Sequence, residues 1–223
     1  MSKLRENIEA VRARLRLAAD RSGQNHVQLV AVTKTVPVAT IGEAIQLGLT
    51  SLGENRLQEA LPKVEMYPAV DWHFIGRLQT NKVKDVVGRF NLIHSLDRWK
   101  LAEALHKQAE ELDKPVSVLV QVNIAGESQK GGLPPAQLQE FLREAAALPG
   151  LRVEGLMTVP PYEEDAERVR PYFREMNRLF HSFHIPGVKM NILSMGMTHD
   201  FIVAVEEGAN LVRIGSAIFG ERI

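Results

Sequence analysis

Eight short and often β-branched apolar runs, separated by stretches of helical periodicity, constrain this chain more than any single residue does. The runs fall at 28–33, 49–52, 70–75, 90–93, 116–122, 151–157, 189–193 and 210–214. Helical patterns fill the intervals at about 38–47, 55–66, 79–87, 98–112, 135–147, 164–183 and 199–207. Regular alternation of strand and helix calls for a parallel sheet covered by helices. Eight such units fit a (β/α)8 TIM barrel better than an open sheet, and no glycine-rich dinucleotide loop follows any run. Leu4, Ile8, Val11, Leu15 and Ala18 or Ala19 place an extra amphipathic helix ahead of the first strand, ending near Gly23. After the eighth run only GSAIFGERI remains, too short for a full covering helix, so the N-terminal helix is expected to take over part of that role. Asp97 is the expected cap of the helix that follows it, and prolines open and close the pattern at 133–150. With no linker or composition break, residues 1–223 read as a single α/β domain.

Charge narrows the partners. Twenty-seven basic residues balance 27 acidic ones, so no net field steers the chain onto nucleic acid or an anionic membrane. Cysteine is absent, which removes disulfides, thiolate nucleophiles and sulfur-ligated metals together. No apolar run is long enough to span a bilayer. The opening MSKLRENIEAVRARLRLAADRSG has no apolar core for a secretory signal, and Glu6, Glu9 and Asp20 argue against a transit peptide, so a cytoplasmic protein is expected.

A barrel gathers its site at the carboxyl ends of its strands. Those positions carry Lys34, Glu54 with Asn55, His73, His94 with Ser95, Asn123, Thr158, Ser194, and Arg213 with Ser216. Each has a plain alternative: Asn55 as a cap or turn, His73 and His94 as satisfied core groups, Arg213 as an ion-pair partner of a carboxylate such as Glu54. Lys34 is the most informative, because a lysine aimed into a barrel mouth is desolvated toward its neutral amine, and a neutral amine forms a Schiff base with a carbonyl. That leaves either a substrate-imine enzyme such as an aldolase or an aldehyde cofactor. NLVRIGSAIFG puts Gly215 and Ser216 directly beyond the last strand, and SMGMTHD puts Ser194 and Gly196 beyond the one before it. Together they form a candidate phosphate cup; a tight turn is the plainer alternative. His199 and Asp200 read as surface residues at a helix start. No compact histidine–carboxylate group has ligand spacing, so no metal site is expected.

VAVTK, LGENRLQE, WHFIGRLQTNK, IHSLD, VLVQVNIAGESQKGG, EGLMTVPP, SMGMTHDF and VRIGSAIFG occur in that order over nearly the whole chain. The set closely resembles the YggS/PROSC-like pyridoxal phosphate homeostasis proteins, whose fold resembles the barrel half of fold-type III enzymes such as alanine racemase. The resemblance implies that the chain binds pyridoxal 5′-phosphate (PLP). Lys34 then matches the lysine that carries the cofactor, and Arg213 the arginine facing its pyridine nitrogen. Ser194, Gly215 and Ser216 match the phosphate cup, with Asn55 and Met157 near the cofactor. Thr33, Ser216 and Thr198 stand where serine, threonine and serine are common; each keeps a hydroxyl, and Thr198 keeps helix capping possible.

A carrier and an enzyme can use the same lysine. An arginine at the pyridine nitrogen, which only donates, weakens the ring as an electron sink, although alanine racemase uses a similar one. The racemase-like enzymes add a β-rich domain and a tyrosine from a partner subunit, whereas here Ile223 follows the barrel directly and Tyr67, Tyr162 and Tyr172 fall in helix or loop regions. The expectation is therefore a non-enzymatic intracellular reservoir or carrier of PLP, monomeric, with transient contact to PLP-dependent apoenzymes. The alternatives are a PLP-dependent amino-acid racemase and a Schiff-base aldolase.

Overall fold

The structure is a computed structural model that describes residues 2–127 and 129–220. Its first element is the long helix α1 (Lys3–Ser22). Ser2 accepts a hydrogen bond from the Arg5 amide, and Gly23, at φ 69°, ends the helix by returning its own amide to Ala19 and Asp20. The buried stripe is Leu4, Ile8, Val11, Leu15, Ala18 and Ala19, the set that the spacing predicts.

Eight strands follow among the described residues: β1 (Gln28–Val32), β2 (Ser51–Glu54), β3 (Asp71–Phe74), β4 (Leu92–Leu96), β5 (Val116–Val122), β6 (Leu151–Thr158), β7 (Ile192–Ser194) and β8 (Leu211–Ile214). All pair in parallel and in sequence order, and β1 closes the ring on β8 from Gln28↔Leu211 to Ala31↔Ile214. The expected eight-stranded barrel with an added N-terminal helix is the observed one. Between strands lie α2 (Val38–Gln46), α3 (Leu57–Met66), α4 (Val83–Val86), α5 (Trp99–Glu111), α6 (Leu138–Ala146), α7 (Arg170–Ser182) and α8 (Phe201–Glu206), with α9 (Ser216–Phe219) after β8. The patterns at 79–87, 135–147 and 164–183 each open with a 3₁₀ turn before the α-helix proper.

Hydrophobic burial is divided by the barrel wall. The large outer core lies between helices and strands and includes the inner face of α1. A second, small cluster of Val30, Leu92, Leu119, Met157 and Leu211 draws on five strands and fills a layer inside the barrel. α1 packs on α8 and α9, and Asn7 Nδ2 donates to the carbonyl of Ile218 at 2.9 Å, so it does cover the end where α9 is only one turn long.

Three local expectations are corrected. Asp97 does not cap α5: the N-cap is Arg98, and the Asp97 carboxylate instead accepts from the Arg98 guanidinium at 2.5 Å. Thr198 does not cap α8, which starts after Asp200. Asp200 is buried rather than on the surface, its carboxylate taking the Met197 amide at 2.6 Å.

Candidate functional site

Lys34 leaves the barrel between a clamped residue and a strained one. Before it, Thr33 is fully buried, with its amide on Gly53 O at 3.0 Å and its hydroxyl on Glu54 Oε1 at 2.6 Å. The Thr33 carbonyl accepts from Lys63 Nζ at 2.7 Å, and the same ammonium reaches Glu54 Oε1 at 2.7 Å. After it, Thr35 sits at φ 65°, a left-handed conformation that a β-branched residue adopts only under constraint, with its amide on Glu59 Oε2 at 3.0 Å. Glu54 therefore pairs with Lys63, not with Arg213.

The Lys34 side chain lines a cavity of about 460 Å³ whose other wall is Gly215, Ser216, Phe219 and Gly220. The first and last strands of the barrel thus bring an amine and a glycine-flanked turn into one space. A Cβ built on Gly215 would lie 3.4 Å from the Val32 Cβ, so alanine fits there and a larger side chain meets Val32. The hydroxyl facing this turn is Thr198, whose Oγ1 accepts from the Ala217 amide at 3.4 Å.

Ser194 and Arg213 occupy a different layer. Arg213 is buried; its Nη1 donates to Ser194 Oγ at 2.5 Å and its Nη2 to the Thr158 carbonyl at 2.9 Å. Both acceptors are neutral. Burial pushes this guanidinium down to about 10, partly opposed by the carboxylate of Asp200. Ser194 Oγ also meets His94 Nδ1 at 3.1 Å, and His94 Nε2 meets His73 Nδ1 at 2.9 Å. Burial, followed by its polar neighbours His73 and Arg213, holds His94 well below the ordinary imidazole value. For His73 and His94 the satisfied-core alternative is the one observed. Asn123 and Thr158 are also structural: Asn123 bonds the backbone of Glu127, and Thr158 bonds the Val122 carbonyl.

Met157 lies in the inner apolar layer, and Asn55 lines a neighbouring cavity of about 650 Å³ with Arg77, Lys82 and Arg98. A Cβ on Gly76 would fall 2.0 Å from the Asn55 carbonyl oxygen, so only glycine lets the turn after β3 close onto Asn55. The Asn55 Oδ1 is buried with no partner in the protein, an acceptor left for a donor from outside the chain. Of the seven expected residues, Lys34, Gly215 and Ser216 share one cavity, Ser194 and Arg213 share a hydrogen bond, and Asn55 and Met157 stand apart. Two contributors escaped the sequence. Lys63 reads as a surface helix lysine, signalled only by its place between Ala60 and Val64 on the buried stripe of α3. Thr198 reads in the sequence as a possible helix cap rather than as the hydroxyl at the last turn. Among the described residues no group of three or more His, Cys, Asp or Glu is placed to hold a metal ion, and no helix is long and apolar enough to cross a membrane.

A closed parallel barrel with an amine after its first strand, a glycine turn after its eighth and a buried arginine on that eighth strand defines a barrel of the alanine racemase N-terminal class. The family described as "Alanine racemase, N-terminal domain" matches residues 7–223. Over 222 residues the chain is 47% identical to the pyridoxal phosphate homeostasis protein of Aquifex aeolicus, covering 97% of each. It is 40% identical to that of Vibrio alginolyticus, over 100% of this chain and 99% of the relative. Among solved structures, PipY of Synechococcus elongatus with PLP bound superposes with a TM-score of 0.85 at 34% identity, over 98% of this chain and 100% of PipY. The chain belongs to the pyridoxal phosphate homeostasis protein family.

Proposed function

We propose that this protein holds PLP reversibly and contributes to intracellular PLP supply without turning over amino acids. The observation that carries the proposal is the cavity that joins Lys34 to Gly215 and Ser216. When bound, the cofactor supplies an aldehyde carbon open to amines and a phosphate dianion. Lys34 is the amine in reach, held by the clamp on Thr33. Ser216, with Thr198 beside it, supplies hydroxyls for the phosphate, and Gly215 keeps its backbone clear of side chain. Arg213, buried on β8, would be the group toward the ring nitrogen; because it only donates, it would disfavour a proton there and leave the ring a weak electron sink. Ser194 contributes through Arg213, and Asn55 offers its orphaned acceptor. Met157 closes the apolar layer beneath.

The cavity lining supports a carrier over a two-base racemase. Among the described lining residues, Lys34 is the one ionisable side chain, the others being Val32, Thr35, Val36, Pro37, Thr40, Gly215, Ser216, Phe219 and Gly220. A racemase needs a second base on the far face of its substrate. Release would use the same chemistry, since an amine, free or on a PLP-dependent apoenzyme, would compete with Lys34 for the aldehyde carbon that the cofactor supplies. Borohydride reduction followed by peptide mass analysis is expected to fix a pyridoxyl group on Lys34, and Lys34→Ala to abolish it. Label confined to Lys82 or Lys130 would sink the assignment. Loaded protein is expected to activate an apoenzyme; no transfer, together with multiple-turnover racemisation, would decide for the enzyme.

A further inference from the structure

One continuous hydrogen-bonded path crosses the barrel interior from its amino-terminal end to Arg213. It starts at Asp71, the first residue of β3, whose Oδ2 accepts from Ser51 Oγ at 2.9 Å and Gln28 Nε2 at 3.2 Å. The same oxygen lies 2.8 Å from His73 Nε2, and the path continues from His73 Nδ1 to His94 Nε2 at 2.9 Å. It passes from His94 Nδ1 to Ser194 Oγ at 3.1 Å and ends on Arg213 Nη1 at 2.5 Å. Asp71 is half-exposed; His73, His94, Ser194 and Arg213 are all buried.

The two ends fix the sense of every link. A guanidinium only donates and an ionised carboxylate only accepts. Arg213 therefore gives its N–H to Ser194, and Ser194 gives its O–H to His94 Nδ1. His94 gives Nε2–H to His73 Nδ1, and His73 gives Nε2–H to Asp71. Reversing the middle would place an N–H of His94 on Ser194 Oγ, which already receives Arg213, and strand the hydroxyl proton. It would also require a doubly protonated His73, or a His73 lone pair against the carboxylate.

We propose that Asp71, His73, His94 and Ser194 form a one-way relay that positions Arg213 for the cofactor ring, with both imidazoles neutral and protonated at Nε2. Its role toward the ring rests on the PLP reading; its protonation pattern does not. The charged groups along it are Asp71 at one end and Arg213 at the other, with Asp200, just ahead of α8, beside Arg213. The depression of the His94 proton affinity by burial, His73 and Arg213 agrees with a neutral ring. Asp71 agrees as well: burial raises it, but the hydrogen bonds it accepts from His73, Ser51 and Gln28 help to hold it below its usual value. Because arginine accepts no proton, the path delivers none to the ring; it orients Arg213 and fixes its charge pattern.

The test begins with cofactor-free protein carrying nitrogen-15 histidine, read by long-range proton–nitrogen correlation at about pH 8, where a free imidazole is neutral and can choose its tautomer. His73 and His94 are expected as Nε2–H tautomers. An Nδ1–H tautomer or an imidazolium at either overturns the relay. Asp71→Asn replaces the acceptor-only end by an amide that can also donate, so the His94 signal is expected to become a mixture of tautomers. Ser194→Ala cuts the path beside Arg213. Each variant is expected to weaken PLP binding by about tenfold, the scale of one charge-assisted hydrogen bond, with the borohydride label still on Lys34. Affinity and absorption maximum unchanged in both would overturn the positioning role. Failure of the wild type to take any label would instead sink the PLP reading, and the tautomers of the cofactor-free protein would still decide the relay.

Discussion

Glu54 and Lys63 lie together behind Thr33, both buried, in a place where water cannot screen either charge. Removing one partner of such a pair leaves the other charge stranded, while removing both is far milder. Lys63→Met is expected to destabilise the cofactor-free protein by roughly 3–5 kcal/mol in urea denaturation, and adding Glu54→Leu to recover most of the loss. The same double variant is expected to lower PLP affinity, since Thr33 then loses two of its holds beside Lys34. Thr35 makes the complementary case. Asparagine tolerates φ 65° better than threonine, so Thr35→Asn is expected to stabilise the fold by about 0.5–1 kcal/mol, read in the same urea titration. Lys34 was legible because an amine beyond an apolar run is chemically conspicuous. Lys63 was not, because a single lysine in a helix is ordinarily solvated, and only the three-dimensional position of its carboxylate partner makes it a core residue.

At the scale of elements, the strand most legible in the sequence is one whose outer face is apolar throughout, as with Val116, Val118, Val120 and Val122. β5 lies at Val116–Val122, the run expected at 116–122. β4 is different: the apolar run stops at Ile93, yet the strand continues through His94 and Ser95 to Leu96. β2 likewise continues through Gly53 to Glu54. In both, the extension carries a buried polar side chain, His94 or Glu54, whose partners sit on other strands or helices, so the end of an apolar run does not mark the end of the strand. α1 was legible from its spacing alone, and its role as a cover is testable. Ile8 is 1% exposed, with α1 resting on α8 and α9. Ile8→Ala is expected to cost about 2–5 kcal/mol, most simply followed by thermal denaturation. A loss under 1 kcal/mol would mean that α1 is not an integral layer of the barrel.

For the whole molecule, a buried histidine held neutral sets a pH dependence. Above the ordinary imidazole value of 6.5, His94 is neutral both folded and unfolded and contributes nothing to the slope. Below it, the unfolded chain binds a proton that the folded interior resists, so stability falls as pH falls. Between about pH 6 and 5 the wild type is expected to lose up to about 1.4 kcal/mol per pH unit more than His94→Asn, measured by urea titration at each pH. Equal slopes would mean that His94 takes up its proton inside the barrel. The barrel closure has one more consequence. Lys34 follows the first strand, whereas Gly215 and Ser216 follow the eighth. A ribosome making this barrel exposes the amine after the first strand and the facing turn only after the eighth. If the cavity holds PLP as proposed, the nascent protein has its lysine long before it has the turn that would retain the phosphate. On the proposed reading, retention of the vitamin would begin only once β8 closes the ring, and a chain broken off before β8 would have little with which to withhold cofactor from the finished enzymes around it.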